Sequence, residues 1–240
     1  MFVQEGIESF LEAVSKKGLK KKDSSIVYLS GLECVLCNGV FEQKIERELS
    51  EEEIHEVVAN MDGLPFIWWS GSSKLSELGF DFAGELVGIE MKIDHLMEPS
   101  SLDIRQMKSE VEIKLYTDLT LEIFGMSPSV LDEMTEINMC DEMMHFIAYV
   151  DEELVGTVSL LFGEEVVGIW NLGTLEPYRR QGIGHQLVNE ALYAAQERGY
   201  DNAMAVLMPK GLAAGLFAAH GFHEVSKYPF HVYGYGTSLE

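Results

Sequence analysis

The spacing of apolar positions changes period several times along the chain, and each change predicts an element. Residues 4 to 17 carry apolar side chains at helical spacing. The stretch Lys20-Lys21-Lys22-Asp23 reads as a solvated basic loop. Short apolar runs around Ile26-Val27-Tyr28-Leu29 and Glu33-Cys34-Val35-Leu36-Cys37 read as strands. Ser50, with Glu53 three residues on, has the pattern of a capping box and opens a helix reaching about residue 61. The run Leu64-Pro65-Phe66-Ile67-Trp68-Trp69 predicts a strand, Ser73 opens a short helix ending near Gly79, and a further strand spans 86–93.

A short polar stretch, Glu98-Pro99-Ser100-Ser101, interrupts the pattern and predicts a boundary between two domains, 1–100 and 101–238. Beyond it come a strand at 102–107 and helices at about 109–124 and 127–139, the second capped by Ser127 or Ser129. A hairpin follows, with strands 144–150 and 154–162 around Asp151-Glu152-Glu153. The strand at 166–174 leads to a helix at about 183–198, whose Leu187, Ala191, Leu192 and Ala195 share one face and which Gly199 ends. A strand at 203–208, a helix at about 211–219 and two strands, 223–226 and 230–235, complete the order.

With 47% hydrophobic residues the chain builds a true core, and no apolar run is long enough to span a bilayer. The opening Met1-Phe2-Val3-Gln4-Glu5 has no basic start before an apolar run, so no secretory leader is expected. Three cysteines, Cys34, Cys37 and Cys140, are too few for a disulfide framework, which fits a reduced cytoplasm. Cys34 and Cys37 have the spacing of a redox or zinc pair, but no second pair completes a site, and no metal is expected. A formal net charge of −23 argues against nucleic acid as a partner. From Leu115 to Tyr178 there is no Lys or Arg at all. Such a surface would concentrate a cationic substrate, and the same imbalance also serves solubility.

One local pattern carries chemistry. An apolar strand runs into Arg179-Arg180-Gln181-Gly182-Ile183-Gly184, and a long amphipathic helix follows at once. Glycines let the backbone approach a ligand, and the first turn of the helix offers N–H groups and a partial positive charge. Together these suit a pyrophosphate. The alternative reading of Gly182 and Gly184 is an ordinary strand-to-helix turn.

The segment from Leu172 to Gly184 resembles the acetyl-CoA motif of the GCN5-related N-acetyltransferases, the GNAT superfamily. The later Leu216-Phe217-Ala218-Ala219-His220-Gly221-Phe222 is similar to the closing helix and Gly-Phe strand start of that family, and the element order after residue 101 matches its fold. The resemblance implies a GNAT-type mixed α/β fold: a largely antiparallel central sheet flanked by helices, preceded by a smaller α/β domain. More faintly, Asn38-Gly39-Val40, Pro65-Phe66-Ile67-Trp68-Trp69 and Leu78-Gly79-Phe80 resemble a degenerate N-terminal half of tandem members; the other reading is an unrelated extension. No second pyrophosphate loop occurs there.

What the resemblance implies is transfer of an acetyl group from acetyl-CoA to a primary amine, with a small-molecule acceptor expected. Backbone groups of Leu172, Gly173 and Thr174 would pair with the pantetheine arm. Arg179, Arg180, Gln181, Gly182, Ile183, Gly184 and His185 would surround the pyrophosphate. Aspartate at Gly182 or Gly184 is then expected to abolish cofactor binding with little unfolding. A main-chain N–H near Gly173 or Thr174 would polarise the thioester. The family's usual Tyr is here Phe217, its frequent Asn is Lys210, and Gly168, Trp170 and Asn171 stand where a carboxylate is often found. The remaining candidates for proton transfer are His220 and Tyr228, with His223 beside the first. Tyr233 and Tyr235 would join Tyr228 in lining an acceptor site, and Trp170 reads as core or as a wall of that site. The loss of the Tyr leaves a second reading open, a non-catalytic acyl-CoA binder.

Overall fold

The computed structural model describes residues 2–15, 18–22, 24–31, 37–95, 97–208, 211 and 213–234. Cys34, Lys210 and Tyr235 lie outside these residues. By internal contacts the chain divides into two units. One comprises Met1–Phe10 with Ile89–Val225, the other Leu11–Gly88 with Ser226–Glu240. The division differs from the single boundary expected near residue 100. Two long strands, β5 (Asp81–Lys92) and β11 (His223–Tyr233), each begin in one unit and end in the other.

The larger unit holds β6 (Asp103–Met107), α4 (Glu110–Phe124), α5 (Leu131–Asn138), β7 (Met143–Val150), β8 (Glu153–Phe162), β9 (Val167–Thr174), α6 (Ile183–Glu197), β10 (Asn202–Leu207) and α7 (Ala213–Ala219). Its sheet runs β6-β7-β8-β9-β10, with the end of β5 beside β10. The first three pairings are antiparallel and β9 with β10 is parallel. The β7–β8 hairpin turns on Asp151 and Glu152, both left-handed at φ 50° and 66°, as the twist of a two-residue turn requires. Ser109 and Glu112 form a capping box at the start of α4, a device worth about 1 kcal/mol. On α6, Leu187, Ala191, Leu192 and Ala195 are buried, and Ile183 and Val188 join them. A short 3₁₀ turn, Pro128–Val130, precedes α5 and is capped by the Ser127 hydroxyl.

The smaller unit holds β1 (Gly18–Lys22), β2 (Ser25–Leu29), β3 (Asn38–Glu42), α2 (Glu51–Asn60), β4 (Phe66–Trp69) and α3 (Lys74–Glu77). The helix α1 (Phe2–Val14) precedes them. Its sheet runs β1-β2-β3-β4-β11, with the start of β5 beside β11. The lysine run is a strand rather than a loop: Lys20 pairs with Val27 and Lys21 with Ile26. Lysines suit such an edge because they discourage further pairing. The expected pair of closing strands is one continuous β11. Pro229 interrupts nothing in its ladder with β4, which begins at Phe230 opposite Trp69. The capping box of Ser50 and Glu53 is present, and it joins an ion-pair cluster. Arg47 reaches Glu53 at 2.8 Å and the wholly buried Glu42 at 3.2 Å. Glu42 also accepts from Ser25 and from the Trp68 indole. Hydrogen bonds from Ser50, then from Arg47, hold the Glu53 pKa at about 2. Trp68, Phe66 and Phe80 form the core beneath α2.

Each unit taken alone repeats one succession: antiparallel strands, then a helix, then a strand parallel to the last. In the smaller unit this is β1-β2-β3-α2-β4, in the larger β7-β8-β9-α6-β10.

Candidate functional site

Pairing between β9 and β10 is confined to Ala203 with Val167 and Met204 with Gly168. Past Gly168, β9 continues for six residues with its β10 side open, so the two strands part toward their C-terminal ends. A cleft of about 720 Å³ opens there. Leu172, Gly173, Thr174, Arg179, Arg180, Gly182, Ile183, Gly184 and His185 line it, along with Tyr178, the end of α4 at Ile123 and Phe124, and α7. Of the ten residues expected around the cofactor, Gln181 stands apart. Its side chain turns back to the Pro177 carbonyl at 3.2 Å.

The loop before α6 is shaped for an anion. Gly182 caps the helix in a left-handed conformation, φ 85°, and a Cβ there would meet no atom within 4 Å. Open space thus faces Gly182 at the head of the first turn, whose N–H groups have no helical carbonyl to pair with. Arg180 is also left-handed at φ 65°, a conformation that costs a non-glycine residue about 1 kcal/mol or more. The Arg179 guanidinium is tied to the Thr174 carbonyl at 3.0 Å, which fixes one cation at the rim. Among the described residues lining the cleft there is no Asp or Glu, although the chain carries 40 of them. Positive helix dipole, two arginines and absent carboxylates all favour a polyanion.

Further along β9 the ladder with β8 slips. Thr157 faces Gly173 but Ser159 faces Trp170, so Asn171 and Leu172 together oppose Val158. This is a β-bulge, and one residue of such a pair falls out of the ladder. Asn171 holds it at φ 51°, and its carbonyl accepts from Thr157 Oγ1 at 2.9 Å. Nothing in the local pattern marks the bulge beyond an Asn, a residue that tolerates the left-handed region.

The proton-transfer candidates stand elsewhere. Neither His220 nor Tyr228 lines the cleft. His220, half-buried after α7, meets His185 at 3.1 Å between Nε2 and Nδ1. Burial first, then His185, lowers its pKa, so it is neutral at pH 7. His223 is exposed. Tyr228 and Tyr233 belong to the aromatic core of the smaller unit, against Phe41 and Trp69 and against Phe66 and Phe80 respectively. Phe217 is 4% exposed and packs edge-on against Phe222 at 5.0 Å. Trp170 stacks on Phe10 at 4.2 Å. Cys37 is buried, and among the described residues no group of three His, Cys, Asp or Glu could hold a metal ion. Among the same residues no helix is long and apolar enough to cross a membrane.

Comparison with known proteins agrees with this geometry. Residues 113–222 match the profile of the acetyltransferase (GNAT) family. The fold is similar to that of a GCN5-related N-acetyltransferase from Kribbella flavida, with TM-score 0.67 and 12% identity over 98% of this chain and 95% of that one. A GCN5-related N-acetyltransferase from Sphaerobacter thermophilus gives 0.63 and 15% identity over 96% and 91%. A functionally unknown conserved protein from Staphylococcus epidermidis gives 0.65 and 16% over 91% and 94%. At these identities the likeness is one of fold. No curated protein matches the chain significantly.

Proposed function

We propose that this chain, whose residues 113–222 match the acetyltransferase (GNAT) family, transfers the acetyl group of acetyl-CoA to the primary amine of a small molecule. The supporting observation is the cleft between the parted strands, rich in backbone donors and, among the described residues, free of carboxylates in a chain of net charge −23.

The open edge of β9 at Leu172 and Gly173 would take the pantetheine amides as an added strand does. The first turn of α6, with Arg179 and Arg180, would hold the pyrophosphate. In the reaction the amine nitrogen, once neutral, attacks the thioester carbonyl. A C–N bond forms, the C–S bond breaks, and the thiolate leaves to be protonated. The tetrahedral intermediate needs a donor at its oxygen, a contribution that is commonly worth several kcal/mol. The N–H released by the bulge at Asn171–Leu172 supplies it, one or two residues before the position expected from the sequence. Orientation of the two reactants on one rigid strand supplies much of the rest. Only His185 of the His185–His220 pair lines the cleft, at its phosphate end. The long stretch without Lys or Arg favours a cationic acceptor.

The smaller unit is a degenerate twin of the larger. Its repeated strand–helix–strand succession supports this reading, as does α2, whose N-terminus is capped by Ser50 and three glutamates rather than opened by glycines. A helix start so occupied repels an anion.

Thiol release from acetyl-CoA, followed over a panel of primary amines, tests the activity. Turnover with at least one amine is expected. A protein that binds acetyl-CoA yet releases thiol with none of them is the non-catalytic binder.

A further inference from the structure

The open edge of β9 has an inner end as well as an entrance. Among the described residues of β9, Leu172 is the deepest to line the cleft. A pantetheine arm laid from Thr174 to Leu172 points its acyl group toward the place where β9 and β10 rejoin, the pair Gly168 and Met204. Trp170 stands before that pair, about 7 Å beyond Leu172 along the strand. Ser159 faces Trp170 across the ladder with β8, so the two side chains share one face of the sheet. Ser159 touches Tyr116 of α4, which makes this the face that α4 covers. Gly173 looks the same way, since a Cβ on it would run into Ile123 of α4. The inner end of the cleft and the indole therefore lie on one side of β9.

That indole lies back along the strand, over Gly168. A Cβ on the glycine would collide with Trp170 Nε1 and come within 3.3 Å of Met204 Sδ. Phe10 of α1 stacks on the indole at 4.2 Å. Gly6, one turn earlier, lets α1 settle on Met204, because a Cβ there would meet Sδ at 2.6 Å. Two glycines thus make room for one plug of Trp170, Met204 and Phe10, set where the strands meet. As mere core filling the plug is poor: the indole N–H is buried and meets no acceptor among the described residues. An aliphatic side chain at 168 would fill the same space without orphaning a donor. Met204 is wholly buried, whereas Trp170 keeps part of its surface exposed. The opposite face of the sheet is closed by α6, whose Leu187 would lie 3.0 Å from a Cβ on Gly156. An acyl chain longer than acetyl, on reaching the rejoined strands, is turned toward the indole.

We propose that Trp170 sets the length of the acyl chain this protein accepts, holding the donor to acetyl-CoA by occupying the space over Gly168 that a longer chain needs. The proposal rests on the reading of the cleft as an acetyl-CoA site. It gives Trp170 a part in choosing the donor, separate from any wall it offers to the acceptor amine.

Calorimetric titration with coenzyme A and with acetyl-, butyryl- and hexanoyl-CoA reads the effect without an acceptor amine. The unaltered protein should bind hexanoyl-CoA at least about tenfold more weakly than acetyl-CoA. A methylene that leaves water for an apolar wall is worth about fourfold in affinity, and hexanoyl carries four more of them than acetyl. Trp170→Ala should therefore reverse the order, binding hexanoyl-CoA at least about tenfold more tightly than acetyl-CoA, with coenzyme A itself held within about threefold of the unaltered affinity. Trp170→Phe keeps a ring for Phe10 to stack on; it should admit butyryl-CoA while still rejecting hexanoyl-CoA, and it serves if Trp170→Ala does not fold. An unaltered protein that binds all three thioesters alike overturns the proposal and leaves the cleft reading intact. So does a folded Trp170→Ala or Trp170→Phe that keeps the unaltered order of affinities. Failure of the unaltered protein to bind either coenzyme A or acetyl-CoA overturns the cleft reading, and the proposal falls with it.

Discussion

Replacing Gly182 by aspartate separates the two things that position does. In the free protein the cost is one of backbone conformation. The residue sits at φ 85°, and a side chain there carries a strain of about 1 kcal/mol, somewhat relieved because Asp visits this region more readily than most. No atom lies within 4 Å of the new Cβ, so nothing clashes. A loss of that size lowers the melting temperature of a chain this long by about 2–4 °C. Toward the ligand the cost is electrostatic. A carboxylate at the helix start, about 5 Å from a phosphate, is repelled by about 3 kcal/mol at an effective dielectric of about 20. It also cancels the positive end of α6. Coenzyme A should therefore bind more than about 100-fold more weakly. Isothermal titration calorimetry at physiological salt reads this directly. Gly182→Asn, with nearly the same shape and backbone cost but no charge, should retain most of the affinity. A folded Gly182→Asp that binds coenzyme A as well as the unaltered protein refutes the pyrophosphate site. Gly184 behaves differently, because its Cβ would come within 2.7 Å of Leu216 Cδ1. Gly184→Asp must displace α7 packing as well, so the two substitutions are not equivalent in stability.

Stability should depend on pH through His145. Its folded pKa of about 4 lies below the ordinary 6.5, so in that interval the unfolded chain binds a proton the native one refuses. Stability is then full above pH 6.5 and falls as the pH drops toward 4, by at most about 3 kcal/mol. His220 and His231, lowered by burial, steepen the same slope, and Glu53 acts only below its ordinary value of 4.5. Urea denaturation at pH 7 and pH 5 should show a smaller difference for His145→Gln; an equal difference contradicts the assignment. Phe217→Tyr should give no gain in thiol release and a loss of about 1 kcal/mol or more, since the new hydroxyl enters a packed ring pair outside the cleft. A rate increase would show that the position still serves as an acid. Arg47→Ala should cost about 3 kcal/mol, because it strips the cation from a carboxylate with no exposed surface. Adding Glu42→Gln should return part of that loss in chemical denaturation, and a cost below about 1 kcal/mol would mean that water replaces the guanidinium.

What the sequence made legible was local. The run from Arg179 to Gly184 carries its own chemistry within six residues, and the helix behind it announces its buried face through Leu187, Ala191, Leu192 and Ala195. Capping at Ser50 is equally self-contained. The lysine run at 20–22 misled because an exposed edge strand and a solvated loop share a composition; only the pairing with Ile26 and Val27 distinguishes them. The closing strands, expected as 223–226 and 230–235, are one continuous β11. The bulge at Asn171 was hidden because it is set by pairing with a neighbouring strand, where Thr157 donates to the Asn171 carbonyl. The hydrogen-bonded line from His145 through Ser159 to Tyr116 was hidden for a stronger reason. Its members are scattered over more than forty positions, each reads alone as ordinary core, and no spacing connects them. Phe217 was seen as a departure, and burial explains what stands there instead.

The interleaving of the two units has a consequence for how the chain is made. Strand β11 supplies Phe230–Tyr233 to β4, so the smaller unit receives this partner only after residues 89–225 of the larger unit have been synthesised. Domains usually fold in order as they leave the ribosome, N-terminal first. Here the first-made unit must wait with Phe66, Ile67, Trp68 and Trp69 lacking a neighbour on one side. Ending the chain at residue 228 would therefore damage the smaller unit before it touched the cleft, and expression of residues 1–100 alone would yield an apolar edge in search of a strand.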